Sequence, residues 1–326
     1  MLKYIIILLF IASISLNAQI QSLNLASDVY PPFTNTINNT SVALDLVNTA
    51  LKRAEINSNT SILPWDRVIT GIEAGVFDGS AALWKTAERD EYLVYSEPYL
   101  ENQLILVGLT GTDVNKGSLD ELTGMSVGVV RGYGYGNELF TRDNIHLVYS
   151  GSDQENLNKL INGEIDVMLV DKLLIEYMLQ IHLNEVRDKL AISREPLIVK
   201  PLYLALNENL PYSHEIIESF NKEIKSMIAD GTYNRILNLN WISADVDGDG
   251  MAELVLNGDK AGTSEPMNAY SIFSSSHTAD NREYIIENNH YQDWNSIPKK
   301  YKQKSRVQSS TDPENPGLII KLEDQN

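Results

Sequence analysis

One arginine and two aspartates stand where short apolar runs end, and their types and spacing suit capture of a small charged molecule. Arg89 follows the apolar run 78–83 and the turn Lys85-Thr86-Ala87-Glu88. A guanidinium can donate two parallel hydrogen bonds to a carboxylate; the plainer reading pairs Arg89 with Glu88 or Asp90 at the surface. Asp171 follows Ile165-Asp166-Val167-Met168-Leu169-Val170 and opens a helical stretch. Aspartate is a preferred helix N-cap. Asp28 and Tyr30 sit where Asp28-Val29-Tyr30-Pro31-Pro32-Phe33 breaks the first strand, since consecutive prolines cannot continue a central strand. A third strand end carries Gly132-Tyr133-Gly134-Tyr135-Gly136, whose free N–H groups could hold an anion. Its tyrosine can stack or donate its hydroxyl. Tyr30, Trp84 and Tyr133 are expected to wall the site, and aromatic faces there suit a cationic or flat ligand. Phe33 and Trp65 are read as core packing. Open α/β sheets bind ligands at the C-terminal ends of their strands, where all of these residues fall.

A second acidic set lies in Asp245-Val246-Asp247-Gly248-Asp249-Gly250-Met251-Ala252-Glu253. Oxygen ligands at alternate positions around a glycine turn suit Ca²⁺, giving Asp245, Asp247, Asp249 and Glu253 as the candidate metal ligands. The twelfth position is Leu256 and a strand-like Leu254-Val255-Leu256 follows, so this is not an EF-hand. It resembles the calcium loops of integrin-type and VCBS-type β repeats. A solvated acidic turn is the alternative, since no partner repeat accompanies it. No other cofactor is expected.

The elements that must position these groups alternate. Residues 22–27 read as a strand and Ser41–Ala54 as an amphipathic helix with Ser41 at its N-cap. A helix with Ile69, Ile72, Glu73 and Val76 at helical spacings and Gly75 at the stop position, a strand over 78–83 and an apolar strand at 103–108 follow. Leu119–Gly124 is a short connecting helix. Strands at 127–130, 146–149 and 165–170 alternate with helices at 153–162 and 171–183. Such alternation argues a parallel sheet with crossover helices. A strand at 198–206 and helices at 215–227 and 232–237 come last.

The run Gly75-Val76-Phe77-Asp78-Gly79, then Lys85-Thr86-Ala87-Glu88-Arg89, then Tyr95-Ser96-Glu97-Pro98-Tyr99, resembles bacterial solute-binding proteins of family 3, the polar amino-acid-binding type. The resemblance covers roughly two thirds of the chain. It implies a two-lobed α/β fold with hinge strands: lobe one from 19–108 and 197–242, lobe two from 109–196, and a small β-rich appendage from 243–326. It also implies a ligand site in which Arg89 takes a carboxylate and Asp171 an ammonium, with closure about the hinge. The family usually carries threonine after the glycine at 132, and a small hydroxyl residue where Trp84 stands; this chain has Tyr133 and Trp84. The implied role is ligand delivery, as a monomer, to an ABC importer permease. A membrane sensor, a lyase- or dehydratase-like enzyme on the same fold, and an adhesive module built on the C-terminal segment are the alternatives.

Bulk properties fit. The chain has 326 residues, 43% of them hydrophobic, enough for about two domains. A net charge of −18 repels nucleic acid and anionic lipid. Absence of cysteine excludes disulfides and thiol chemistry. Met1-Leu2-Lys3, an apolar run to Leu16 and Asn17-Ala18-Gln19 read as a signal peptide over 1–18, and hence a periplasmic protein. Residues 305–317 are polar and expected to be disordered. Gly124-Met125-Ser126-Val127-Gly128 matches a nucleophile elbow in letters only, because Ser126 opens a strand. No nucleophile–base pair or zinc spacing of the five histidines is visible, so no enzymatic activity is expected.

Overall fold

The computed structural model describes residues 22–36, 41–181, 187–256, 258, 261–266, 269–272 and 279–303. The expected signal peptide over 1–18 and the polar run over 305–317 lie outside the described residues.

The first lobe begins with β1 (Leu23–Ser27), which lies parallel between β2 (Ser58–Ile62) and β3 (Gly79–Leu83). Helix α1 (Val42–Arg53) buries Ala43, Leu46, Val47, Ala50 and Leu51 on one stripe, the 3.6-residue pattern of an amphipathic helix. Helix α2 (Trp65–Glu73) buries Val68 and Ile72. Strand β2 has the sequence SNTSI, whose polarity hides it from a hydrophobic-pattern reading; it stands at the sheet edge. β4 (Leu93–Tyr95) leads into the long strand β5 (Leu100–Leu109).

The second lobe is built from β6 (Ser126–Val130), α3 (Asn137–Phe140), β7 (His146–Ser150), α4 (Asp153–Ile161), β8 (Val167–Asp171), α5 (Lys172–Ile181) and β9 (Leu190–Ile192). β6 pairs parallel with both β7 and β8. Strand β10 (Ile198–Asn207) returns, followed by α6 (Ser213–Ala229) and α7 (Thr232–Ile236).

The two long strands carry the sheet from one lobe to the other. β10 pairs antiparallel with β3 through Tyr203–Leu206 and with β5 through Ile198–Leu202. β5 pairs with β8 through Leu104–Gly108. The strand order is β2-β1-β3-β10-β5-β8-β6-β7.

A separate five-stranded sheet forms at the C-terminal end, from β11 (Trp241–Ala244), β12 (Met251–Leu256), β13 (Tyr270–Ser271), β14 (Ala279–Ile286) and β15 (Asn289–Tyr291). Side chains alternate between its faces. Ile242, Ala244, Val255, Ile272 and Ile285 join the main core. Trp241, Leu256, Tyr284 and Ile286 form a second cluster with Ile297 and Tyr301.

Candidate functional site

The site lies where the ends of β1, β3, β6 and β8 face each other across the two lobes. Asp28 and Tyr30 follow β1, and Thr34 donates its hydroxyl to the Asp28 carbonyl, 2.7 Å away, fixing the turn. Trp84 follows β3 and donates its indole N–H to Asn102 Oδ1 at 2.7 Å. Asn102, on β5 and fully buried, donates in turn to Asp171 Oδ2 at 3.2 Å. A polar chain therefore runs from the first lobe to the second along a strand shared by both.

Arg89 is buried at 5% exposure in a short 3-10 turn, so the surface-pair alternative does not describe it. Its guanidinium stands 5.1 Å from the Trp65 ring. It donates to the Trp84 carbonyl at 2.7 Å and, across the cleft, to the Gly132 carbonyl at 2.8 Å. Burial pulls its pKa below the ordinary value. Exposed Lys85 turns away to Asp90 at 3.6 Å and does not line the cleft.

Asp171 is 1% exposed and ends β8. Its Oδ1 accepts from Leu173 N and Leu174 N, at 2.8 and 3.1 Å, the N-cap geometry of α5. Its Oδ2 accepts from Gln103 N at 3.0 Å as well as from Asn102. Burial raises its pKa to about 7 despite these bonds. Asp28 is raised to about 6 by burial, opposed by the hydrogen bond from Tyr133.

A third carboxyl group was not foreseen. Asp153, the first residue of α4, is 7% exposed, and its pKa rises to about 8 through burial and then the charges of Asp28 and Asp171. In the sequence it looks like an ordinary first-turn acid after the N-cap Ser152, and only folding turns it toward Tyr30, Tyr133 and Tyr135. Among the described residues none of the three carboxylates forms an ion pair. Lys200, on β10, is a partly buried cation whose pKa is lowered by burial and then by Arg89.

The aromatic wall is larger than expected. Tyr133 packs edge-on against Tyr30, Trp65 and Trp84, with ring centroids 6.0, 5.3 and 5.5 Å away. Its hydroxyl donates to Asp28 Oδ2 at 2.8 Å. Trp65, expected in the core, instead borders this space and donates to the Gly132 carbonyl at 3.0 Å. Phe33 is a core residue, 1% exposed and stacked on Tyr30. The cavity bounded by Asp28, Tyr30, Trp65, Trp84, Arg89 and Tyr133 has a volume of only about 30 Å³, whereas small-ligand pockets run to hundreds.

In the C-terminal sheet, carboxylate oxygens of Asp245, Asp247 and Glu253 lie within 4.8 Å of one another, a spread a Ca²⁺ ion with 2.3–2.6 Å bonds can bridge. Asp249 lies outside this cluster and accepts from Met251 N at 2.8 Å. Asp245 also accepts from Gly248 N and Gly250 N, so the loop is shaped by its own backbone.

Comparison with known proteins agrees with this architecture. A relative from Escherichia coli (strain K12), provisionally named ABC transporter arginine-binding protein 2, is 25% identical over 246 residues, 73% of this chain and 98% of that one. An ancestral arginine-binding protein bound to arginine superimposes with a TM-score of 0.56 at 22% identity, over 66% of this chain and 96% of that one. The GluR0 ligand-binding core from Nostoc punctiforme, in complex with glutamate, gives 0.55 at 22% identity, over 66% and 97%. These likenesses in structure establish the fold. The model of the bacterial extracellular solute-binding proteins, family 3, matches residues 23–243, two lobes and hinge strands included, and the chain belongs to that family.

Proposed function

We propose that this protein captures a small basic amino acid or a closely related cationic solute and presents it to an ABC importer. One observation carries the reading: Asp28 borders the cavity, Asp153 and Asp171 of the other lobe are buried close enough to act electrostatically on Tyr30 of its wall, and none of the three is ion-paired among the described residues. Burial without a counter-charge shifts carboxyl groups toward their protonated forms, and a bound cation shifts them back toward ionisation. Arg89, whose partners at the cleft are carbonyl oxygens, supplies donors for a ligand carboxylate. Closure about β5 and β10 follows because one ligand reaches groups of both lobes only in the closed form. Lys85, the lysine of the turn before Arg89, lies outside the cleft and is not placed to transfer a proton there, which weighs against the enzyme reading. The arginine-binding name of the Escherichia coli relative supports the ligand class.

A thermal-shift screen over amino acids, diamines, carboxylates and short sugars tests it. Arginine, lysine or ornithine should raise the melting temperature most and be recovered unchanged. Hits confined to neutral sugars or dicarboxylates would overturn the cationic reading.

A further inference from the structure

The cleft is filled by the protein itself. The Gly132-Tyr133-Gly134 turn of the second lobe reaches into the first. Gly132 has φ +77°, a conformation that favours glycine, and its carbonyl oxygen accepts from both Arg89 and Trp65. A Cβ on Gly134 would lie 2.7 Å from Thr86 Cγ2, so this close approach requires a bare backbone there. Between them Tyr133 places its ring among Tyr30, Trp65 and Trp84 and its hydroxyl on Asp28. An acceptor oxygen thus meets the arginine and a donor meets the aspartate, in one continuous piece of chain.

We infer that the 132–134 turn is a tethered occupant of the binding cleft, which holds the lobes together without solute and competes with solute for Arg89 and Asp28. This rests on the cationic amino-acid reading for the ligand's identity, but not for the occupancy itself. The turn imitates a ligand with an acceptor oxygen at one end and a hydrogen-bond donor toward Asp28, the pattern of an amino acid. Tyr133 then sets specificity as a threshold: only a molecule that satisfies both ends, and adds a positive charge the phenol lacks, displaces it. If the self-occupied form is favoured about ten to one, apparent affinity is lowered about tenfold.

Two measurements on the purified chain test this. In solution scattering without ligand, Tyr133→Ala should give a larger radius of gyration than wild type. Gly134→Val, which forces the turn away from Thr86, should do the same, and Tyr133→Phe should fall between. Circular dichroism checks that each variant is folded. In calorimetric titration with L-arginine as the probe, Tyr133→Ala should bind about tenfold tighter than wild type. Unchanged radii in both Tyr133→Ala and Gly134→Val would overturn the inference, as would weaker arginine binding by a folded Tyr133→Ala, which would make the ring a wall of the site. If arginine binds neither protein, the cationic amino-acid reading fails and the scattering result alone decides occupancy.

Discussion

At the scale of single residues, the site is an excess of acid, with Asp153 and Asp171 buried and Asp28 half-buried. Asp28, Asp171 and Asp153 rise to about 6, 7 and 8, with burial the largest cause in each case. Tyr30, Tyr133 and Tyr135 lie within electrostatic reach of them, and Asn102 donates to Asp171. Unfolded aspartate titrates near 3.9. Between that value and the raised ones the folded protein binds more protons than the unfolded chain, so stability without ligand falls as pH rises through the window. Cation binding favours the ionised forms and releases protons, so arginine affinity should strengthen over the same window. Titration calorimetry in buffers of different ionisation enthalpy would show the release; affinity that weakens with rising pH would contradict it. Asp28→Asn should flatten part of this dependence and weaken binding by about 2–5 kcal/mol, the cost of leaving a buried charge unpaired. Exposed Glu88 gives the control, and Glu88→Ala should change neither.

At the scale of elements, most strands and helices were legible because burial writes a period into the sequence. α1, β3, β8 and β10 follow their apolar patterns closely, whereas α2 begins at Trp65, four residues before the expected Ile69, and leaves Val76 exposed beyond its end. β2 was missed because an edge strand can be polar on both faces. β11 joins the C-terminal sheet from Trp241, two residues before the composition changes at 243. The 245–253 loop links β11 to β12, and three of its four expected ligands cluster. Calcium at millimolar concentration should therefore raise the melting temperature by mass action. Asp245→Asn should abolish the increase while leaving arginine binding intact. An unchanged melting curve in calcium would leave a solvated acidic turn.

At the scale of the whole molecule, the C-terminal sheet is part of the folded unit. Its inner face supplies Ile242, Val255, Ile272 and Ile285 to the main core. Asn234 of α7 donates to the Val255 carbonyl at 2.8 Å and ties the sheet to the first lobe. Ile285 is fully buried, so Ile285→Ala should cost about 2–5 kcal/mol. Chemical denaturation followed by tryptophan fluorescence and by far-ultraviolet dichroism should show one shifted transition. Two separated transitions would mean that the sheet unfolds independently.

The sequence by itself determined the family, the crossing strands and the placing of Arg89, Asp171, Asp28, Tyr30, Trp84 and Tyr133 at strand ends. Such information is local: it lies in apolar periodicity, in turn residues and in an ordered motif over a few dozen positions. What only the tertiary structure decided is which groups meet across the cleft. Asp153 and Trp65 became site residues through the packing of one lobe on the other. The Gly132 carbonyl and the Tyr133 hydroxyl took the places expected of a ligand. No spacing encodes these contacts, because they join residues such as Asp28 and Tyr133, 105 positions apart, on different lobes. Their geometry is set by how far the two hinge strands let those halves close.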